Sequence, residues 1–148
     1  MKKIALITGA TSGIGEACAI KFAEAGYNLI LTARRADKLE ALKAKLESAA
    51  CAVKTLVYDV RDAEACKIAI DSLDEEWSKV VVLINNAGLA LGLEKEYEGD
   101  PEDWNTMIDT NIKGLLTMTR LIVPGMVKRN EGHVINVGSV AGDAAYAG

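Results

Sequence analysis

The sequence has few of the residues that form disulfide frameworks or metal sites, and it has no long apolar run. Its three cysteines are odd in number, without C-x-x-C or metal-like spacing, so we expect reduced thiols, no metal and a cytoplasmic protein. The single histidine, His133, is expected to be structural. No stretch is long enough to span a bilayer, and the N-terminal apolar run ends at Thr8, too early for a signal peptide.

An excess of positive charge is also absent. The 17 lysines and arginines are outnumbered by 21 acidic residues, which gives a net charge of -4. This balance argues against nucleic acid or an anionic membrane as the main partner. Half of the residues are hydrophobic, enough for one domain with its own core, and no linker, repeat or low-complexity tract divides the chain. We therefore expect one domain over residues 1–148 that binds a small molecule.

Apolar runs typical of strands alternate with segments that have helical apolar spacing. The predicted strands are residues 3–7, 27–32, 53–58, 80–84 and 133–137. The predicted helices are residues 16–24, residues 38–47, a helix capped by Asp62 that runs towards Leu73, and a long helix that begins at Asp100-Pro101. This alternation predicts an α/β fold, a Rossmann-like doubly wound parallel sheet with right-handed crossovers.

The long helix carries two further predictions. Trp104, Ile108, Ile112 and Leu115 are expected to face the core. Pro124-Gly125 is expected to kink or interrupt the helix before Arg129, because proline lacks the backbone N–H and clashes with the preceding turn.

A glycine-rich turn, Thr8-Gly9-Ala10-Thr11-Ser12-Gly13-Ile14-Gly15, joins the first predicted strand to the first helix. Such a turn offers free backbone N–H groups and the positive end of a helix dipole to an anion, and glycines let a pyrophosphate approach closely. We therefore predict a dinucleotide site that uses Gly9, Thr11, Ser12, Gly13, Ile14 and Gly15. The alternative is a tight turn whose glycines serve only packing.

The residues after the second strand indicate which dinucleotide is bound. An acidic residue there would hold the ribose 2′-hydroxyl of NAD, but this chain has Arg34 and Arg35. An arginine suits the 2′-phosphate of NADP, and a charge-assisted hydrogen bond of roughly 1.5 to 3 kcal/mol gives a preference on the order of tenfold to a hundredfold. The prediction is NADP. A solvated basic helix start, and NAD as the cofactor, are the alternatives.

The glycine spacing TGxxxGxG, the element Asn85-Asn86-Ala87-Gly88 after the fourth strand and Gly138-Ser139-Val140-Ala141-Gly142 after the fifth occur in this order. Together they resemble the short-chain dehydrogenase/reductase family over the whole chain. Within that family, residues 85–92, 102–111 and 124–142 resemble the NADP-dependent 3-hydroxy acid dehydrogenases.

The resemblance implies roles for residues beyond the glycine turn. Asp59 and Val60 would meet the adenine ring through a carboxylate and a backbone N–H, and Asn86, Ala87 and Gly88 would line the cofactor cleft. Asn111 would distort its helix and hold a water on a proton path, and Ser139 would hydrogen-bond the reacting oxygen of the substrate. The plainer alternatives are a loop or capping aspartate, a simple turn, an exposed helical asparagine and a turn serine.

The acid/base pair of the family, a tyrosine and a lysine four residues later, should begin about a dozen residues beyond Ser139. The sequence ends at Gly148, and Tyr146 is too near Ser139 to replace that tyrosine. The sheet would then be incomplete at its C-terminal end, without the later strands and helices of the family. We therefore expect the natural polypeptide to continue past Gly148; the alternative is that these residues fold only with a partner. The 148 residues alone should be nearly inactive, because a positioned acid contributes about 10² to 10⁴ in rate.

The resemblance implies a function for the complete protein. It would transfer a hydride between the nicotinamide of NADP and a small hydroxy compound, a 3-hydroxy acid, and would form a homotetramer joined partly through the long helix. The alternative from another class is an NADP(H)-binding module without catalysis, such as an inactive truncated fragment.

Overall fold

The computed structural model describes residues 2–143, which form a five-stranded parallel sheet. Its strands are β1 (Ile4–Thr8), β2 (Asn28–Ala33), β3 (Val53–Val57), β4 (Val80–Asn85) and β5 (His133–Asn136). Each predicted strand is present with both ends within one residue of the prediction. The order β3-β2-β1-β4-β5 is that of a Rossmann sheet, so the predicted fold class is confirmed. Tyr146 lies outside the described residues.

Helices follow the strands as the alternation predicts. They are α1 (Gly13–Glu24), α2 (Ala36–Leu46), α3 (Ala63–Asp71), α4 (Pro101–Ile108) and α5 (Leu115–Arg129), with a π-helical segment, Asp109–Gly114, between the last two. Both predicted caps are present, since carboxylate oxygens of Asp62 and Asp100 each accept a backbone N–H at 2.9 Å, from Ala65 and Glu102.

Each face of the sheet buries its own hydrophobic core. On β1, Ala5 and Ile7 pack on one face with residues of α1 and α2, whereas Ile4 and Leu6 pack on the other with residues of α3 and α5. Successive side chains of a strand point to opposite faces, so a strand between two helix layers is apolar throughout. The sheet is therefore covered on both sides, as in a doubly wound fold.

The structure corrects the prediction for the long helix. Trp104, Ile108 and Ile112 are 39%, 45% and 54% exposed, and Leu115 is only partly buried. The residues buried on this helix recur every four positions instead: Thr110, Gly114, Met118, Ile122 and Met126. The helix therefore carries two apolar stripes, and the one that contains Trp104, Ile108 and Ile112 faces outward.

The predicted interruption at Pro124 is wrong, whereas a kink there stays a prediction. Helix α5 continues through Pro124 to Arg129, and the irregularity lies earlier, in the π-helical segment. Proline has no backbone N–H to donate to the carbonyl one turn earlier in the helix. Because Pro124 is exposed, water can donate to that carbonyl instead.

Candidate functional site

The carboxyl ends of the five strands open onto one cleft of about 770 Å³. It lies where the strand order changes direction, between β1 and β4, which is where open α/β sheets bind their ligands. The predicted site residues that line it are Gly9, Thr11, Ser12, Ile14, Arg34, Arg35, Asp59, Val60, Asn86, Ala87, Gly88, Asn111 and Ser139. Gly13 and Gly15 are the two predicted site residues that do not.

The glycines of the first turn have different structural roles. Gly9 and Gly13 have positive φ angles of 64° and 54°, which favour glycine. A Cβ on Gly15 would lie 2.3 Å from the Gly9 carbonyl oxygen and 2.4 Å from Asn86 Nδ2. Gly15 is therefore needed for close packing beneath the turn, and of these three only Gly9 lines the cleft.

Thr8 and Asn86 hold the loops after β1 and β4 together. Asn86 Nδ2 donates to the carbonyl oxygens of Thr8 and Gly9, at 2.9 and 3.0 Å. The buried hydroxyl of Thr8 accepts the backbone N–H groups of Asn86 and Ala87, both at 3.0 Å. Sequence reasoning missed Thr8, whose signal is a hydroxyl at the carboxyl end of a buried apolar strand.

Two arginines place positive charge at the end of the cleft beside β2 and β3. Arg35 Nη2 donates to Thr11 Oγ1 at 3.2 Å, and this contact ties the turn after β2 to the glycine turn. Arg34 Nη1 lies 3.8 Å from Asp59 Oδ2, and 62% of the Arg34 side chain is exposed. Both guanidinium groups line the cleft and can meet an anion there.

Asp59 and Val60 follow β3, and each is contacted by a residue that does not line the cleft. Arg61 forks onto the Asp59 carboxylate, with Nη2 2.7 Å from Oδ2, and these hydrogen bonds hold the pKa of Asp59 below its usual range. A Cβ on Gly114 would lie 2.8 Å from Val60 Cγ2, so the π-helical segment approaches this loop closely. Sequence reasoning missed Arg61; its signal is an opposite charge two residues after a loop aspartate.

Asn111 lies in the π-helical segment, and its side chain pairs with the backbone of the loop after β4. Its Oδ1 accepts the Leu89 N–H at 2.9 Å and its Nδ2 donates to the Leu89 carbonyl at 2.7 Å. The side chain thus holds this loop over the cleft, and the proton-path role of Asn111 stays a prediction.

Ser139 begins a short 3-10 turn, Val140–Gly142, at the end of the cleft near β5. Its Oγ accepts the Ala141 N–H at 3.1 Å, as a turn serine does. This contact uses a lone pair and leaves the hydroxyl proton free to donate to a ligand oxygen. The geometry is compatible with the predicted substrate contact, which stays a prediction.

A polar cluster lies beneath the same end of the cleft. Asn85 is 4% exposed, and its Nδ2 donates to Thr119 Oγ1 at 3.0 Å and to Asn136 Oδ1 at 2.9 Å. Thr119 Oγ1 in turn donates to the Leu115 carbonyl at 2.8 Å. These bonds join β4, β5 and α5, and sequence reasoning did not find Thr119 or Asn136.

Other reactive groups do not line the cleft, although the Cys66 thiol donates to the Asp59 carbonyl at 3.6 Å. Burial raises the pKa of the Cys66 thiol to about 11, so it is protonated at neutral pH, and all three cysteines are free. His133 is exposed at the start of β5. Within residues 2–143, no group of three or more His, Cys, Asp or Glu side chains could hold a metal ion. None of the helices described is long and apolar enough to cross a membrane.

The sheet order and the glycine turn at its switch point define a protein of the Rossmann class. A family model described as short chain dehydrogenase matches residues 3–148, and the chain belongs to that family. The family resemblance seen in the motifs is thereby confirmed.

Individual relatives agree with this assignment. An NADP-dependent 3-hydroxy acid dehydrogenase of Salmonella typhi is 52% identical over 145 residues, which are 98% of this chain and 57% of the relative. The crystal structure of serine dehydrogenase from Escherichia coli is similar, with a TM-score of 0.90 and 48% identity over 98% of this chain and 66% of that one.

The closed form of serine dehydrogenase complexed with NADP+ has a TM-score of 0.91 and 48% identity, over 98% of this chain and 57% of that one. The chain thus spans about three fifths of the length of the curated relatives that it matches.

Proposed function

We propose that the polypeptide containing these residues is an NADP-dependent oxidoreductase that transfers a hydride between nicotinamide and a small hydroxy compound, a 3-hydroxy acid. The observation that carries the proposal is a cleft with a glycine turn at one side and two guanidinium groups at its end, in a chain about half identical to an NADP-dependent 3-hydroxy acid dehydrogenase.

The residues of the cleft fit NADP. The glycine turn leads into the N-terminus of α1, where a pyrophosphate would meet backbone N–H groups. Gly9 lets the loop after β4 pack against this turn, because a Cβ there would lie 2.9 Å from Ala87 Cα. Arg34 and Arg35 would hold the 2′-phosphate, and Asp59 and Val60 would contact the adenine ring. Ser12, Gly13 and Gly15 complete the turn, and Asn86, Ala87 and Gly88 would border the ribose. When bound, the nicotinamide ring supplies or accepts the hydride.

At the other end of the cleft, Ser139 would donate its hydroxyl proton to the reacting oxygen of the substrate. Asn111 would keep the loop after β4 in place and support a proton relay. Hydride transfer to a carbonyl leaves an alkoxide that needs a proton, so a general acid is required. We assign that role to a tyrosine and a lysine beyond Gly148, and we expect residues 1–148 alone to be inactive.

We also propose that the complete protein is a cytoplasmic homotetramer. The outward stripe of Trp104, Ile108, Ile112 and Leu116 supports this, because these side chains are 39%, 45%, 54% and 58% exposed and form a row that another subunit could cover. The free cysteines support a reducing compartment.

The cofactor is tested by measuring the dissociation constants of NADPH and NADH for Arg34→Ala and Arg35→Ala. Loss of a charge-assisted hydrogen bond should weaken NADPH binding by about tenfold or more and change NADH binding little. Lys38→Ala on α2 is the control, because Lys38 is exposed and lies outside the cleft. Unchanged NADPH binding in both arginine variants would favour NAD.

The reaction is tested on a polypeptide that carries the downstream tyrosine and lysine, with NADPH and short semialdehydes or with NADP and 3-hydroxy acids. Turnover that is lost in Ser139→Ala supports the proposal. Tight NADPH binding without turnover above background would instead favour a binding module.

A further inference from the structure

Arg61 holds the Asp59 carboxylate from the side away from the cleft. Its backbone N–H donates to Oδ1 at 3.0 Å, and its Nε lies 3.1 Å from Oδ1 and 3.0 Å from Oδ2. Its Nη2 donates to Oδ2 at 2.7 Å. Asp59 lines the cleft and Arg61 does not, so the arginine reaches the site only through this carboxylate.

The contacts with Arg61 leave the cleft side of the Asp59 carboxylate open to a ligand. An ionised carboxylate offers about four lone-pair sites. Three N–H groups of Arg61 make four contacts with it, two on each oxygen, because Nε–H is shared between Oδ1 and Oδ2. Arg34 Nη1, at 3.8 Å from Oδ2, is too distant for a hydrogen bond. Asp59 lines the cleft and Arg61 does not, so a ligand can reach the carboxylate from the side where Arg34 and Arg35 lie.

The surrounding loop keeps this geometry fixed. Asp62 N donates to the Asp59 carbonyl at 3.0 Å, and the Asp62 carboxylate caps α3. The Arg61 side chain is 38% exposed. Its planar guanidinium nevertheless contacts both oxygens of one carboxylate, and this fixes the orientation of that carboxylate. Asp59 thus meets a ligand already ionised and already oriented.

We propose that Arg61 is a positioning residue for base selection: it orients Asp59 so that the carboxylate accepts a hydrogen bond from the exocyclic amino group of adenine. This inference rests on the proposed function, in which Asp59 contacts adenine. A base with a carbonyl oxygen at that position would face the carboxylate lone pair and be rejected.

The test compares NADPH with its hypoxanthine analogue, which has an oxygen in place of the amino group. In the full-length protein that carries these residues, the ratio of the two dissociation constants should be tenfold or more in favour of NADPH, because the contact involves a charged group. In Arg61→Gln the ratio should fall at least fivefold.

Two further variants separate geometry from charge. Arg61→Lys keeps the charge but not the fork, so its ratio should also fall. Lys67→Gln, which removes a cation paired with Asp71 on α3, should leave the ratio unchanged. A ratio that stays at the parent value in Arg61→Gln or Arg61→Lys, or that falls equally in Lys67→Gln, overturns the proposal.

The variant Asp59→Asn distinguishes a failure of this proposal from a failure of the proposed function, in which Asp59 contacts adenine. An amide can pair with either base, so the ratio should approach one. If Asp59→Asn keeps the full ratio, the adenine contact assigned to Asp59 is wrong and the role of Arg61 falls with it. If Asp59→Asn abolishes the ratio while Arg61→Gln preserves it, only the role of Arg61 is wrong.

Discussion

Replacing Asn86 by aspartate should loosen the centre of the sheet, because one amide joins the loops after β1 and β4. Asn86 Nδ2 donates to the carbonyls of Thr8 and Gly9 at 2.9 and 3.0 Å, and an aspartate of the same shape would put an oxygen there. Two lost hydrogen bonds of about 0.5 to 1.5 kcal/mol each, with the cost of unpaired carbonyls, give a destabilisation of roughly 3 kcal/mol. For a domain of this size the melting midpoint should fall by roughly 6 to 12 °C.

The assay is thermal unfolding followed by circular dichroism, with urea unfolding as a second measurement. Asn105→Asp on α4 makes the same chemical change at an exposed position and should stay within about 0.5 kcal/mol of the parent. If Asn86→Asp and Asn105→Asp melt at the same temperature, the side chain of Asn86 does not hold the two loops together and the reasoning is refuted.

Three further predictions concern packing, the buried polar cluster and pH. Gly15→Ala should cost about 1 to 3 kcal/mol in urea unfolding, because its Cβ would lie 2.3 Å from the Gly9 carbonyl oxygen, whereas a Cβ on Gly142 meets nothing within 4 Å among residues 2–143. Equal losses in Gly15→Ala and Gly142→Ala would contradict this. Thr119→Val should cost about 1 to 3 kcal/mol, because Asn85 Nδ2 loses one of its two acceptors, and Thr117→Val on the same helix should cost much less. Equal effects would mean that the contact between Asn85 and Thr119 contributes nothing. Because Arg61 lowers the pKa of Asp59, that pair stabilises the fold above the ordinary carboxyl pKa of about 4 and loses its effect as pH falls through the lowered value. The stability difference between the parent and Asp59→Asn should therefore shrink between pH 7 and pH 3, and a constant difference would disprove the link.

The strands and the glycine turn could be predicted because their signals are local. A strand such as β4 is buried on both faces and flanked by helices, so it reads as a short continuous apolar run. The positive φ of Gly9 likewise follows from a tight turn between a strand and a helix. These features need no knowledge of what lies across the molecule.

The partners of the polar side chains could not be predicted in the same way. Asn86 meets Thr8 across 78 positions of sequence, and only the adjacency of β1 and β4 brings them together. Asn85, Thr119 and Asn136 also converge from three different elements. A hydrogen-bonding residue at a strand end signals a buried contact, but its partner depends on the strand order.

The long helix shows why spacing alone did not decide which face is buried. Both stripes of this helix repeat at intervals near four, so helical periodicity fits either one. Gly114 accounts for the face that is buried. A Cβ at this position would lie 2.8 Å from Val60 Cγ2, so only glycine lets the helix pack this closely against the loop after β3. Once Gly114 faces inward, Met118, Ile122 and Met126 follow at one-turn intervals, and Trp104, Ile108 and Ile112 must turn outward. At its first turns the helix places its larger apolar side chains outward, because close packing against the loop after β3 requires the small residue Gly114.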